Sequence, residues 1–365
     1  MAEQAIIQTL HDHDTGKAIA PRTVVEAISG KGKKWNYLGF TEDDQVGVIE
    51  GTWPCNRNIL DNPIFSVNQR GQAEYTTSSS INIYTIDRWV LANSSRTGKL
   101  SVGKEYITLS ADPANGANYW VMLTQKLDTW AIDAIRGEVV TFSMLYKTDS
   151  QTSIATRIFA QALGTSLGEM GPTQLVGTNG EWNVISTTFK VDGSVTDRFQ
   201  ICVHHVGEEQ IDIDIKAAKL ELGPIQTLAH KEGDTWVLNE IPNYTEELAK
   251  CQRYQVALLP SWYGGWGMLG IGVANTATNI EILTSLPVNL RSQGTAIYSG
   301  KYVLSPNGAF SEKYPVTNMS ISYVTEGMRC IRTTASGGGL SAGTTYVLLV
   351  DMMTKPRSFL IDANL

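Results

Sequence analysis

Residues 210–222 read QIDIDIKAAKLEL. Ile211, Ile213 and Ile215 fall on one side of an extended chain and Asp212, Asp214 and Lys216 on the other, because successive side chains of a strand point to opposite faces. After Ala217-Ala218 the phase flips, so that Leu220 and Leu222 are the apolar positions and Lys219 and Glu221 the polar ones. One extra residue in the strand, a β-bulge, produces such a flip.

Upstream of this strand the chain alternates and turns repeatedly. The runs 80–92, 105–111, 117–126, 138–147, 154–163, 182–191 and 197–205 are strand candidates separated by Gly, Asp, Asn or Pro clusters, and no long helical period interrupts them. With 210–222 they predict a jelly-roll β-sandwich over 56–223. The region opens with NILDNPIFSVNQRG at 58–71, followed by Asp87-Arg88-Trp89. Asn58, Asp61 and Asn62 suit a turn, and Pro63 removes a ladder donor, so no central strand is expected there. Trp89, among Ile86, Val90 and Leu91, reads as core.

Residues 224–255 change character. Asn243 can cap the segment YTEELAKCQRY, Glu246 stands at the capping-box position, and Lys250 and Arg253 close the last turn. A helix of roughly three turns follows, too short to be stable alone. Tyr244, Leu248 and Cys251 form its apolar stripe. Beyond it, the runs 268–275, 279–288, 295–304, 317–324, 328–334, 346–353 and 358–362 predict a second, smaller β-sandwich over 256–365, with a hairpin at Glu326-Gly327. Residues 1–55 hold one or two helical turns around Thr23 and Glu26 and too little apolar material for a core. This segment is expected to be held by a partner or another copy of the chain.

At 365 residues the chain is long enough for two or three domains. A net charge of -7 argues against nucleic acid as a partner, since phosphate binding needs a concentrated positive field. The four cysteines, Cys55, Cys202, Cys251 and Cys330, show no CxxC spacing and therefore suggest neither zinc nor redox chemistry. The start, MAEQAIIQTLHDHD, lacks a basic region before an apolar run, and the most apolar window, 258–273, is broken by five glycines and Pro260. Neither a signal peptide nor membrane insertion is expected, and the chain is expected to be made in a cytosol.

NILDNPIFSVNQRG with IDRW, then KLELGPIQTLAHKEGDTWVLNEIPNYTEELAKCQRY, and finally GVANTAT resemble the tail-fibre or receptor-binding proteins of bacteriophages and prophages, mainly those of Gram-positive gut bacteria. The resemblance covers most of the chain. It implies an attachment leader at 1–55, a carbohydrate-binding-module-like jelly roll at 56–223, a helical connector at 224–255 and a distal β-domain at 256–365. It further implies a homotrimer on the virion, docked to other tail proteins through the leader and adsorbing to a host surface glycan. Because fold does not fix function, a purely structural component such as a collar, fibre spacer or head decoration is the alternative.

A glycan site needs flat aromatic faces flanked by amides and carboxylates. The richest candidate is PSWYGGWG, with Trp262, Tyr263 and Trp266 on a glycine-rich loop. The same rings also suit packing on the connector helix or on a neighbouring chain. In the first sandwich, Tyr119, Trp120, Trp130 and Trp182 are further candidates. His11 and His13 would share one face of a strand, where three copies of the chain could hold a metal, but Asp14-Thr15-Gly16-Lys17 reads as a plain turn. No cofactor is expected. No GxSxG, HExxH or phosphate loop occurs, so the chain is not expected to be an enzyme. Cleavage of host polysaccharide by a carboxylate pair brought together in space is the minor alternative.

Overall fold

The computed structural model describes residues 55–363 apart from 79, 117, 149–153, 163, 176, 179, 259–261, 264, 307–313, 326–327, 336–337 and 354–357. Backbone alone is described for 154–162, 168–174, 262–263, 322–325, 328–331, 333–335 and 358, and for four strands before residue 55. Those four form two antiparallel ladders, β1 (Leu10–His11) with β2 (Ala18–Ile19) and β3 (Asn36–Phe40) with β4 (Val46–Glu50). The helical turn expected near Thr23, the His13 site and the side chain of His11 lie outside the described residues.

The fold is all-β. The first sandwich is built from β5 (Glu74–Thr77), β6 (Ile83–Tyr84), β7 (Val90–Ser94), β8 (Gly98–Val102), β9 (Ile107–Ala111), β10 (Trp120–Lys126), helix α1 (Thr129–Ile135), β11 (Val139–Lys147), β12 (Ile154–Ala162), β13 (Thr165–Gln174), β14 (Asn183–Lys190), β15 (Arg198–Val206) and β16 (Ile211–Leu222). They form two six-stranded sheets, β13-β12-β15-β10-β7-β6 and β14-β11-β16-β9-β8-β5. Between the sheets lie Ile211, Ile213, Ile215, Ala218 and Leu220 of β16, with Val121, Leu123, Phe199, Ile201, Phe142 and Met144 from the strands around and opposite.

The bulge is present. Leu145 of β11 pairs with Ala217 and Tyr146 with Ile215, so Lys216 is the extra residue. The slip lets Ile215 and Ala218 face the same core although they are three residues apart. The run expected as one strand over 80–92 is instead β6 and β7, parted by a turn in which Arg88 has φ 72. β5, β8 and β13, rich in Gly, Thr and Ser, carried no clear apolar period in the sequence.

The stretch 58–71 folds as a buried turn that closes one end of this sandwich. The Asn58 side chain accepts from the Leu60 and Leu220 amides and donates to the Ala218 carbonyl at 3.0 Å. Asn62, with φ 51, accepts from the Val67 amide and donates to the carbonyls of Val67 and Asp87. The Trp89 indole donates to the Asn62 carbonyl at 3.2 Å, and its ring lies against Phe65. Turn geometry and core packing are therefore one unit here.

The connector holds a hairpin of β17 (Ala229–Glu232) and β18 (Thr235–Leu238), then helix α2 (Tyr244–Gln252). Asn243 caps α2 through the Thr245 and Glu246 amides, as expected. The buried face differs from the expected stripe: Tyr244 is exposed, while Glu247 and Cys251 are buried. A buried carboxylate needs donors; that of Glu247 accepts from the Asn62 amide at 2.8 Å and pairs with Lys250.

The distal part comprises β19 (Gln255–Ala257), β20 (Trp262–Tyr263), β21 (Trp266–Ala274), β22 (Asn279–Ser285), β23 (Thr295–Ser299), β24 (Tyr302–Pro306), β25 (Tyr314–Thr325), β26 (Met328–Ala335), β27 (Thr345–Asp351) and β28 (Ser358–Asp362). Its larger sheet runs β20-β21-β22-β26-β25-β24-β27, and β27 also pairs with β21, so the sheet closes on itself. The three-stranded sheet β19-β28-β23 packs Phe359 and Ile361 against Leu348, Leu304 and Ile282 of the closed sheet. Within the closed sheet β21 lies tight against β22 at Gly272, where an added Cβ would lie 1.9 Å from the Glu281 carbonyl oxygen. β25 and β26 pair from Thr325 and Met328 outward, giving the expected hairpin.

Candidate functional site

A two-layer sandwich has two outer faces, and the described residues treat them differently. On the β16 sheet, Leu145 and Ala217 face outward and are buried under the β17–β18 hairpin with Leu228, Ala229, Trp236 and Leu238. Lys219 and Glu221 also point outward there and are buried, their charged groups 3.9 Å apart. Burial raises the pKa of the Glu221 carboxyl, while hydrogen bonds from Thr227 lower it. This face is a roofed structural layer.

At the margin of that roof the Tyr106 and Trp182 rings meet edge to face at 5.6 Å. The Lys147 and Lys216 ammonium groups sit 5.3 and 5.7 Å from the Trp182 ring centre. Lys147 pairs with Asp214 at 3.1 Å, and Lys216 lies 4.0 Å from Glu105. A cleft of about 360 Å³ adjoins, lined by Tyr106, Glu105, Lys216, Asn68 and Ile241 among others. Charges here are balanced within the protein, and the Trp182 ring is engaged by the protein's own cations.

The β10 sheet presents the other face. Val121 and Leu123 of β10 and Phe199, Ile201 and Val203 of β15 point into the core, so strand alternation puts Trp120, Met122, Thr124 and Lys126, with Arg198, Gln200, Cys202 and His204, on the outside. The register sets Met122 opposite His204, Thr124 opposite Cys202 and Lys126 opposite Gln200. Thr124, Cys202 and Gln200 are buried, whereas Trp120, Met122, Lys126 and Arg198 remain partly exposed. Trp120 and His204 lie with ring centres 5.7 Å apart at one end of this strip. At the other end both Nε and Nη2 of Arg198 donate to the Gln200 amide oxygen, at 2.9 and 2.6 Å. Burial, and then the charge of Arg198, push the Lys126 pKa down.

Of the candidates read from the sequence, this face takes Trp120. Tyr119 is partly buried against the Gly116 turn. Trp130 is 48% exposed on α1, and Trp182 lies on the opposite sheet. Trp262 and Tyr263 form β20, which pairs with Gly267 and Trp266, and Gly265 before Trp266 has φ 83. Trp266 packs on the outer side of the closed sheet, over Val303, Val347 and Leu349, with the Lys301 ammonium 5.8 Å from its ring. Lys126, Arg198, Gln200 and His204 carry no motif that singles them out in the sequence. Their signal was available in the alternation of 198–205 against 120–126, but the pairing of two strands so far apart in sequence is a tertiary fact. Among the described residues no group of three or more His, Cys, Asp or Glu side chains is placed to hold a metal, and no helix is long and apolar enough to cross a membrane.

No family model matches the sequence, and no curated protein matches it. Solved structures similar to the chain include one described as "CBM4 structure and function", with TM-score 0.31 and 16% identity over 45% of this chain and 99% of that one. The enzymatically active domain of bacteriophage CBA120 tailspike protein 4 gives TM-score 0.30 and 14% identity over 45% of this chain and 21% of that one. The CBM22-1 xylan-binding domain of Paenibacillus barcinonensis Xyn10C gives 0.29 and 11% over 46% and 96%. The neighbours are thus carbohydrate-binding modules and a phage tailspike domain, at scores from which no function is carried over.

Proposed function

We propose that the protein is a non-catalytic adhesin that attaches a phage particle to a host surface glycan, the saccharide lying along the outer face of the β10 sheet. The observation that carries the reading is the contrast between the sandwich faces. One is roofed by its own connector; the other sets an aromatic ring, an imidazole, an amide and two cations in one strip between Trp120 and Arg198. Trp120, Lys126 and Arg198 are the partly exposed members of the strip and offer a sugar a stacking surface and donors for its hydroxyls, while Gln200 and His204 are buried beneath them. Six residues of strand separate Trp120 from Lys126, roughly 20 Å at the usual rise, which suits an oligosaccharide.

The homotrimer and the virion location belong to the same proposal, with residues 1–55 as the docking segment. Support for assembly comes from the distal part, where Met268, Ile271, Val273 and Leu283 stand 60, 50, 47 and 43% exposed on neighbouring strands. An apolar row of this kind suits burial against another copy. Linked copies raise the effective concentration of a second site once the first is filled, so weak individual sites suffice.

The test is retention of the chain on host cell-wall polysaccharide, followed by Trp120→Ala. Retention that Trp120→Ala abolishes without unfolding supports the site. Release of new reducing ends from the polysaccharide would turn the reading to depolymerase activity. A chain that retains no saccharide but sediments as a trimer would favour a fibre spacer or collar.

A further inference from the structure

Building on the glycan reading above, we infer that the saccharide bound by the β10 sheet face is anionic, its carboxylate or phosphate held between Lys126 and Arg198 while a sugar ring meets Trp120 at the far end. Three observations carry this. The first is placement: Lys126 is opposite Gln200, and Arg198 is the next residue of β15 on the same face, so the two cations are diagonal neighbours across one ladder.

The second is the state of the donors. Arg198 spends one Nε–H and one Nη2–H on the Gln200 amide oxygen, which fixes the guanidinium plane, and its other three donors have no partner among the described residues. Among the described residues neither Lys126 nor Arg198 forms an ion pair with a carboxylate. The nearby cation Arg88 is already committed: its Nη2 donates to the Lys126 carbonyl, its Nε pairs with Asp61 at 2.9 Å, and its guanidinium stacks on Tyr254.

The third is desolvation. The Lys126 ammonium is destabilised by burial and by Arg198, and the opposite charge of an arriving anion offsets both effects. The cation pair does not follow from general basicity, since the whole chain carries a net charge of -7. Uronates and phosphate-linked sugars share the required chemistry, an oxyanion attached to a chain of rings or polyols.

The experiment uses the full chain in titration calorimetry with four probes: an oligo-uronate, its carboxyl-reduced neutral counterpart, a polyol-phosphate polymer and inorganic phosphate. The expected result is that one of the two charged polymers binds roughly tenfold tighter than the neutral saccharide, the scale of a charged hydrogen bond, with the gap closing in high salt. Which polymer wins decides between carboxylate and phosphate. Lys126→Met and Arg198→Gln should each close the gap between the charged polymer and the neutral saccharide, Lys126→Arg should restore it, and Trp120→Ala should weaken both. Equal affinity for charged and neutral saccharides, still sensitive to Trp120→Ala, would overturn the anionic inference and leave the glycan reading standing. Absence of binding by all three saccharide probes would overturn both. Inorganic phosphate binding as tightly as the polymers would reduce the site to an ion site and overturn the inference as well.

Discussion

The guanidinium of Arg88 lies 3.4 Å from the centre of the Tyr254 ring. Arg88 belongs to the turn between β6 and β7 and Tyr254 to the segment after α2, so this one stacking contact fastens the first sandwich to the start of the distal part. The Tyr254 hydroxyl extends the joint by donating to Asp128 at 2.9 Å, and Asp61 completes it by pairing with Arg88. Both residues are buried, at 4 and 1% exposure, where cation–π contacts and ion pairs are least screened. Arg88→Met leaves the Asp61 carboxylate without its partner and should cost about 3 kcal/mol. Tyr254→Phe removes the single hydroxyl bond and should cost about 1 kcal/mol. Urea unfolding of the two variants would expose the account as wrong if the order were reversed.

Asp87 supplies a pH signature for the same joint. Its carboxylate accepts from the Gln69 amide and side chain, and Gln69 in turn donates to the Gln255 carbonyl and accepts from the Ala257 amide. Burial raises the Asp87 pKa from 3.8 to about 6, against the lowering effect of the Gln69 bonds and of Arg70. A carboxyl whose folded value exceeds its unfolded one takes up a proton more readily when folded. Its contribution to stability is therefore complete below the unfolded value and is lost as pH rises through the folded one. Carbon NMR should show Asp87 titrating near 6, and the stability of the wild type relative to Asp87→Asn should fall as pH rises across that midpoint. A midpoint in the ordinary aspartate range would refute this.

The ladder between β21 and β22 is tightest at Gly272. The Cβ of an alanine would meet the Glu281 carbonyl oxygen and carbon at 1.9 and 2.8 Å, so backbone rather than a flexible side chain must move. Gly272→Ala should destabilise the distal part by about 3 kcal/mol or more. Gly193, with nothing within 4 Å of its added Cβ, is the control. Calorimetric unfolding in which the two variants behave alike would contradict a close approach of β21 and β22.

Trp182 belongs to the roofed face of the sandwich. It packs on Leu145, Ala217 and Tyr106 under two lysines, so Trp182→Ala should lower stability by about 2 kcal/mol. Saccharide retention by the Trp120 face should be unchanged. Loss of retention with the fold intact would move the glycan site to the 360 Å³ cleft beside Tyr106.

Local chemistry made much of this architecture legible. The alternation of 211–215, the flip that became the Lys216 bulge, the Asn243 cap and the Thr325–Met328 hairpin each rest on neighbours in sequence, whose geometry the backbone dictates. The turn at 58–71 was legible as a turn for the same reason. What it grips was not, because Asn58, Asn62 and Gln69 satisfy backbone groups of strands far along the chain.

Tertiary structure alone decided three things: that the distal sheet closes through β21 and β27, that one sandwich face is roofed by the β17–β18 hairpin, and that Lys126 and Arg198 become neighbours of the Trp120 strip. Each depends on which strand lies beside which. An alternating pattern tells a residue's face but leaves the identity of its cross-strand partner open until the chain has folded.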